Sequence, residues 1–255
     1  MRWALAINGL NVAAERYGDP AWARTRAFQV RSVRPRNGVD DMGGMAVEHA
    51  PIAQWDGKTA AKNHMDTIPM LTAFGIIDIF ANLETFVFIL YRLYLNQTPD
   101  SIIEGDDFKE LRKLKRDPAK DAEWKVAWEE RLNNWHRKKL YDGLAKVFKA
   151  FCAVTKLKTP STYTHTTIDT WVESLDMIAI VRNCLIHGAS TVPANLAEAC
   201  KKPHALLFDF ELDAPLEITL YHLEGVELFC DQLLTGINLS MLELHAGVKF
   251  SDIVD

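Results

Sequence analysis

The sequence predicts an all-α fold, a helical bundle of about four to six helices with a small β-hairpin before the last one. Three observations predict it. Several long stretches repeat apolar residues at steps of three and four, the spacing of one helix face. Phe74–Leu95 is apolar nearly all round, as a helix buried in a bundle or an interface is. Phe208–Leu212 and Leu216–Leu220 alternate at the period of a strand, with Asp213-Ala-Pro215 as the turn between them.

In order along the chain, Met1–Gly44 stands apart. Its basic residues are all arginine: Arg2, Arg16, Arg24, Arg26, Arg31, Arg34 and Arg36. No lysine occurs before Lys58. The segment is rich in glycine and poor in helical periodicity. Three readings compete: a poorly ordered extension, a targeting peptide, or translated upstream sequence with the start at Met42 or Met45. Glu15, Asp19, Asp40 and Asp41 argue against a transit peptide, a class poor in acids. The domain division is therefore 1–44 as an extension and 45–255 as a single helical domain.

Lys62–Leu95 reads as one or two helices with a bend near Pro69. Glu84 interrupts this apolar stretch among Phe80, Leu83, Phe86, Val87 and Phe88. A carboxylate in such company either has a cationic partner or sits on a solvated edge. Gln97–Asp121 is a polar connection with a short helix over Asp106–Lys115, broken at Asp117-Pro118. Ala119–Lys156 reads as one long helix through Trp124, Trp128, Leu132, Trp135, Leu140, Leu144, Phe148 and Phe151. Basic residues gather at Lys109, Arg112, Lys113, Lys115 and Arg116, then at Arg137, Lys138 and Lys139. Interleaved acids favour a solvated helix face there over a phosphate track. A helix follows over Thr166–His187, then a loop to about Pro203, the hairpin, and a last helix from Leu223 to Leu244.

Composition narrows the class. The chain has 255 residues, 48% hydrophobic and 25% charged, with a net charge of −5. That is a globular composition, and its sign argues against a bulk electrostatic binder of nucleic acid, though not against a local basic patch. Cys152, Cys184, Cys200 and Cys230 form no Cys-x-x-Cys pair and read as reduced thiols, which places the chain in the cytoplasm. No apolar run reaches membrane-spanning length without charge, so no membrane is expected. Phosphate-cradling glycine loops, a nucleophile elbow and a His-Glu-x-x-His helix are all missing, so no metal site and no cofactor are expected. His136, His165, His204, His222 and His245 are scattered and read as surface or structural residues.

The stretch Asp176–Ser190 carries the chemistry. It reads as the end of a helix that stops at Gly188, the usual C-terminal cap. On a wheel at about 100° per residue, Trp171, Leu175, Ile178 and Leu185 share one stripe, and Arg182 falls in its middle. A guanidinium is costly to bury unpaired, so Arg182 has a partner or lines a cleft. His187 stands in the last turn, off that stripe, a residue type suited to moving protons. The bland alternative is an arginine that pairs within the bundle beside an ordinary helix-end histidine.

Arg182-Asn183-Cys184-Leu185-Ile186-His187 resembles the Arg-polar-x-x-x-His motif of the HEPN superfamily, small α-helical domains of which many are metal-independent ribonucleases. Arg182, Asn183, His187 and the following Gly188 match residue by residue. The architectural likeness spans about Lys62–His245. The resemblance implies an endoribonuclease whose 2′-hydroxyl attacks the adjacent phosphorus. His187 would be the general acid or base, Arg182 would stabilise charge on the phosphate, and Asn183 would orient phosphate or histidine. It also implies a homodimer that brings two motifs to a shared seam, and a toxin–antitoxin or defence role by analogy. The alternative is a non-catalytic HEPN-like module that binds a nucleotidyltransferase or another antitoxin-like partner. A scaffold protein with a structural Arg182 is the third class. Since Glu84 and Arg182 both interrupt apolar faces, the simplest joint solution is that they meet, Glu84 supporting the guanidinium.

Overall fold

The computed structural model describes residues 2–24, 26, 28–39 and 42–252. In chain order the elements are α1 (Arg2–Gly18), α2 (Pro20–Ala23), β1 (Phe28–Val39), β2 (Met45–Trp55) and α3 (Gly57–Gln97). They continue with α4 (Lys109–Arg116), α5 (Asp121–Leu140), α6 (Leu144–Thr155), α7 (Ile168–Ile186), α8 (Ala194–Cys200) and α9 (Leu220–Ala246). The chain is mostly helical, as its periodicity requires. The nine α-helices among the described residues exceed the expected four to six.

Contacts divide the chain into two compact units. The first comprises Met1–Gly75 with Glu217–Leu223, and the second Ile76–Leu216 with Glu224–Asp255. The boundary expected at residue 44 falls instead in the turn between β1 and β2. Asp40 and Asp41, weighed above against a transit peptide, lie outside the described residues.

In the first unit, the arginine-rich segment holds α1, α2 and β1. Ile7 of α1 is fully buried and Ala14 nearly so. Tyr17, Trp22, Phe28 and His64 form an aromatic cluster, with ring centroids 4.5–6.1 Å apart. Gly57 is required there: a Cβ would come within 2.6 Å of the Tyr17 carbonyl and of Ala23 Cβ. β1 and β2 pair antiparallel from Phe28↔Trp55 to Val39↔Met45, with register shifts after Val30 and after Pro35. Prolines 35 and 51 sit in these strands, which a two-stranded ribbon tolerates because every strand is an edge.

The second unit is helix on helix. Phe88 and Tyr91 of α3 meet Trp135 of α5 at 6.0 and 4.8 Å, and Tyr91 reaches Phe151 of α6 at 5.5 Å. Phe148 of α6 meets Trp171 of α7 at 6.2 Å. Gly236 of α9 lets that indole approach closely, since a Cβ would lie 2.6 Å from it. Leu132, Phe148, Leu175, Ile178, Val181, Val226 and Leu233 are almost wholly shielded. Burying such side chains contributes about 1.5–3 kcal/mol each relative to exposure.

Two local expectations are corrected. Ala119–Lys156 is two helices, because the chain breaks after Leu140 and Gly143 takes φ +79°. The apolar spacing carries across the break and hides it. The hairpin over Phe208–Leu212 and Leu216–Leu220 does not form. Asp213 takes φ +61°, and the second segment pairs with another partner. Leu216 N–H donates to the Ser190 carbonyl at 3.0 Å, and Val192 N–H to the Ala214 carbonyl at 2.9 Å. Only an isolated bridge, Thr191↔Pro215, results. The alternation there reflects two buried anchors, Phe208 and Ile218, rather than a strand pair. Of the one or two helices expected over Lys62–Leu95, the structure has one, the 41-residue α3, which runs through Pro69.

By length and composition α3 is long and apolar enough to cross a membrane, and a third of its most apolar window is buried within the protein. The basic cluster of α4 and α5 is largely engaged: Lys113 with Glu110, Lys115 with Asp100, Lys139 with Asp142. Arg112 donates to the carbonyls of Ile103 and Gly105.

Candidate functional site at the end of helix α7

Helix α7 starts on a capping box. Thr167 accepts from Thr170 N–H, and Thr170 Oγ1 accepts from Thr167 N–H. Its end is a Schellman motif built on Gly188, whose φ is +68°. Ala189 N–H donates to the Cys184 carbonyl at 3.0 Å and Gly188 N–H to the Leu185 carbonyl at 3.2 Å. His187 N–H donates to the Asn183 carbonyl at 3.0 Å. The first two of these bonds occupy the Cys184 and Leu185 carbonyls, which would otherwise be unpaired at the negative end of the helix dipole. An anion near the motif meets less repulsion as a result.

Within this frame the buried side of α7 is Trp171, Leu175, Ile178 and Val181. Arg182 stands next to Val181 at the margin and is half-buried. Its guanidinium carbon lies 5.9 Å from the Phe80 ring centroid, near the outer limit of a cation–π contact. Nη1 donates to Asn183 Oδ1 at 3.0 Å. Among the described residues, buried Nε has no acceptor and Nη2 makes no hydrogen bond. No carboxylate forms an ion pair with Arg182 among the described residues. Its charge therefore has no ion-pair partner among the described residues. Asn183 and His187 are exposed. Between them Cys184 is buried, and burial pushes its thiol up. It has no access to act as a nucleophile.

Of the residues singled out from sequence, the structure joins Arg182 to Asn183 and leaves the His187 side chain open beside them. Glu84 is different. It is half-buried on α3, one turn beyond Phe80, yet makes no ion pair with Arg182. Instead its charge acts on His136 of α5, a residue that the sequence offered no reason to single out. Burial holds the His136 imidazole below its ordinary range, and the Arg92 guanidinium adds to this; Glu84 opposes both. The ring packs 4.4 Å from Phe88, and Nδ1 is buried without a partner. Arg92 itself is tied to Glu129 at 2.6 Å and to Asn133 at 3.0 Å.

A second feature of this unit is an apolar groove of about 340 Å³ between α3 and α9, lined by Ile79, Leu83, Phe86, Cys230 and Leu234. Phe86, Ile89 and Leu93 continue it along α3 as exposed apolar residues. Compared with family models, with curated proteins and with solved structures, the chain matches none of them.

Proposed function

We propose that the chain is a metal-independent endoribonuclease of HEPN type, working as a homodimer, with Arg182, Asn183 and His187 as its catalytic residues. The observation that carries this reading is Arg182: a guanidinium without an ion pair among the described residues, bonded to Asn183 and near the Phe80 ring, at the same helix end as an exposed histidine. The ribose 2′-oxygen attacks the adjacent phosphorus, and the bond to the 5′-oxygen breaks. His187 takes the 2′-hydroxyl proton or gives one to the departing 5′-oxygen. The products are a 2′,3′-cyclic phosphate and a 5′-hydroxyl. Arg182 offers its free Nη2 to the equatorial oxygens as they gain charge. One chain supplies one histidine, so acid and base come from two copies across a seam. The exposed apolar stripe of α3 and α9 is the kind of surface such a seam would bury.

The test is incubation of the protein with total RNA in EDTA, wild type against His187→Ala. Cyclic-phosphate ends from wild type alone are the expected result. Equal cleavage by pure His187→Ala protein would remove His187 from the mechanism.

A second reading has its own support. The buried Nε and the Phe80 contact would also suit an arginine that ties α7 to α3, and the apolar groove would suit a helix of a partner protein. The chain would then be a non-catalytic interaction module, and no variant would release cyclic-phosphate ends.

A further inference from the structure

The first unit carries a charge pattern that the ribonuclease reading does not use. Residues 1–44 hold seven arginines and four acids, a net +3. The total is −5, so the rest of the chain carries −8. Arg31, Arg34 and Arg36 all lie on β1 and are exposed. None of the three makes an ion pair or a side-chain hydrogen bond among the described residues. Arg34 stands in register with Glu48 of β2, yet the two form no ion pair. Glu48 is the one acid among the described residues of the two strands.

The ribbon is open in other ways. Both strands are edges of a two-stranded sheet. Val30, Val33, Val47 and Ile52 are each about half exposed. Charge on an edge strand is a common guard against sheet-to-sheet pairing, and either sign serves that purpose. What needs explanation is three unpaired arginines in an acidic chain. A second copy does not meet that need along β1, because pairing two β1 edges would set six guanidinium groups together. A polyanion does. At the base of the ribbon, Arg26 lies 4.3 Å over the Trp22 ring, which stacks on Tyr17 at 5.6 Å and 22°. A guanidinium layered on aromatic rings can extend the stack to an unpaired base, as an aromatic surface does for single strands.

We propose that the β1–β2 hairpin is an arm that binds single-stranded RNA, with Arg31, Arg34 and Arg36 on phosphates and the Arg26–Trp22 stack on a base. The choice of RNA over DNA rests on the ribonuclease reading, whereas the phosphate contacts do not.

The experiment uses the full chain carrying His187→Ala, so that bound RNA stays intact, and fluorescence anisotropy with a labelled RNA of about 20 nucleotides in EDTA. Three phosphate contacts on a single strand predict a slope near −2 in log affinity against log salt. Affinity should thus fall roughly 20-fold between about 50 and 200 mM salt. Changing all three arginines to glutamine should weaken binding at least about 10-fold at the lower salt and flatten the slope. Changing all three to lysine should retain the slope, which guards against a glutamine variant that misfolds. A DNA strand of the same sequence is the comparison, and binding to both, or to RNA alone, supports the arm. Binding that is unchanged in the glutamine variant, binding without salt dependence in the parent His187→Ala chain, or binding to DNA alone would overturn it. These readouts are separate from cleavage, so either reading can fail without the other.

Discussion

Arg182 and the three arginines of β1 are all cations without a carboxylate partner among the described residues, and what separates them is burial. Arg182 is half-buried, fixed by an aromatic ring and an amide. Arg31, Arg34 and Arg36 are exposed on a ribbon with no third strand. A fixed, partly desolvated guanidinium can meet one phosphate in a set geometry, with little freedom to lose on binding. Exposed guanidinium groups act as a sum, through counterion release, and salt screens them. So the same residue type suits chemistry in one place and capture in the other. The comparison breaks if the fixed arginine proves dispensable to cleavage, or if the exposed ones act without salt dependence.

The largest expected effect is at α7. His187→Ala should lower RNA cleavage by about 10²–10⁴-fold while leaving the helical circular-dichroism signal intact. Arg182→Lys sharpens the point, because lysine keeps the charge and loses the planar fork. A single-turnover cleavage assay should place Arg182→Lys nearer to Arg182→Ala than to wild type. If Arg182→Lys cleaves like wild type, position and fork do not matter, and Arg182 is no different in kind from the strand arginines.

Next in size is the first unit itself. A poorly ordered extension would predict that residues before Met45 contribute nothing. The structure buries Ile7 completely and packs Tyr17, Trp22 and Phe28 together. Ile7→Ala should therefore cost about 2–5 kcal/mol of the stability of the cooperative unit to which α1 belongs, measured by urea unfolding. A change within about 0.5 kcal/mol would mean that α1 contributes no buried core.

How much of this was legible follows from what each element buries. The end of α7 could be read from the chain because a glycine cap and an apolar stripe are both local signals, and Gly188 takes the left-handed conformation such a cap needs. Arg182 stood out for the same reason, as a charge on a buried stripe. The ribbon β1–β2 could not be read. With both faces exposed it has no buried side, so selection for packing leaves no period-2 pattern in Val30-Arg-Ser-Val-Arg-Pro-Arg36. The converse error came at Phe208–Leu220, where two buried anchors imitated that pattern. His136 was invisible because its environment comes from α3, far away in sequence. The partnership expected between Glu84 and Arg182 does not form within this chain. Wheel positions say which residues interrupt a face and not which neighbour they meet.

The smallest effect concerns that failed pair. Removing one partner of a buried ion pair costs about 3–5 kcal/mol, so a Glu84–Arg182 bridge would make Glu84→Gln severely destabilising. Without the bridge, Glu84→Gln should stay within about 0.5 kcal/mol of wild type at neutral pH. Its signature should appear at lower pH, through His136. Burial and Arg92 hold the folded-state pKa of His136 below the ordinary 6.5. As pH falls through that value the unfolded chain takes up a proton that the folded chain refuses, so stability is lost. Glu84 is the group that raises the His136 pKa, and removing its charge lowers it further. The pH window in which stability is lost then reaches lower, and the total loss on acidification grows. An NMR titration of the His136 ring should show the lower pKa in Glu84→Gln, and urea unfolding at about pH 7.5 and 5.5 should show the larger acid sensitivity. An unchanged His136 titration together with a loss of several kcal/mol at neutral pH would restore Glu84 as the partner of a buried cation. The uncompensated charge on Arg182, on which the proposed site depends, would then be gone.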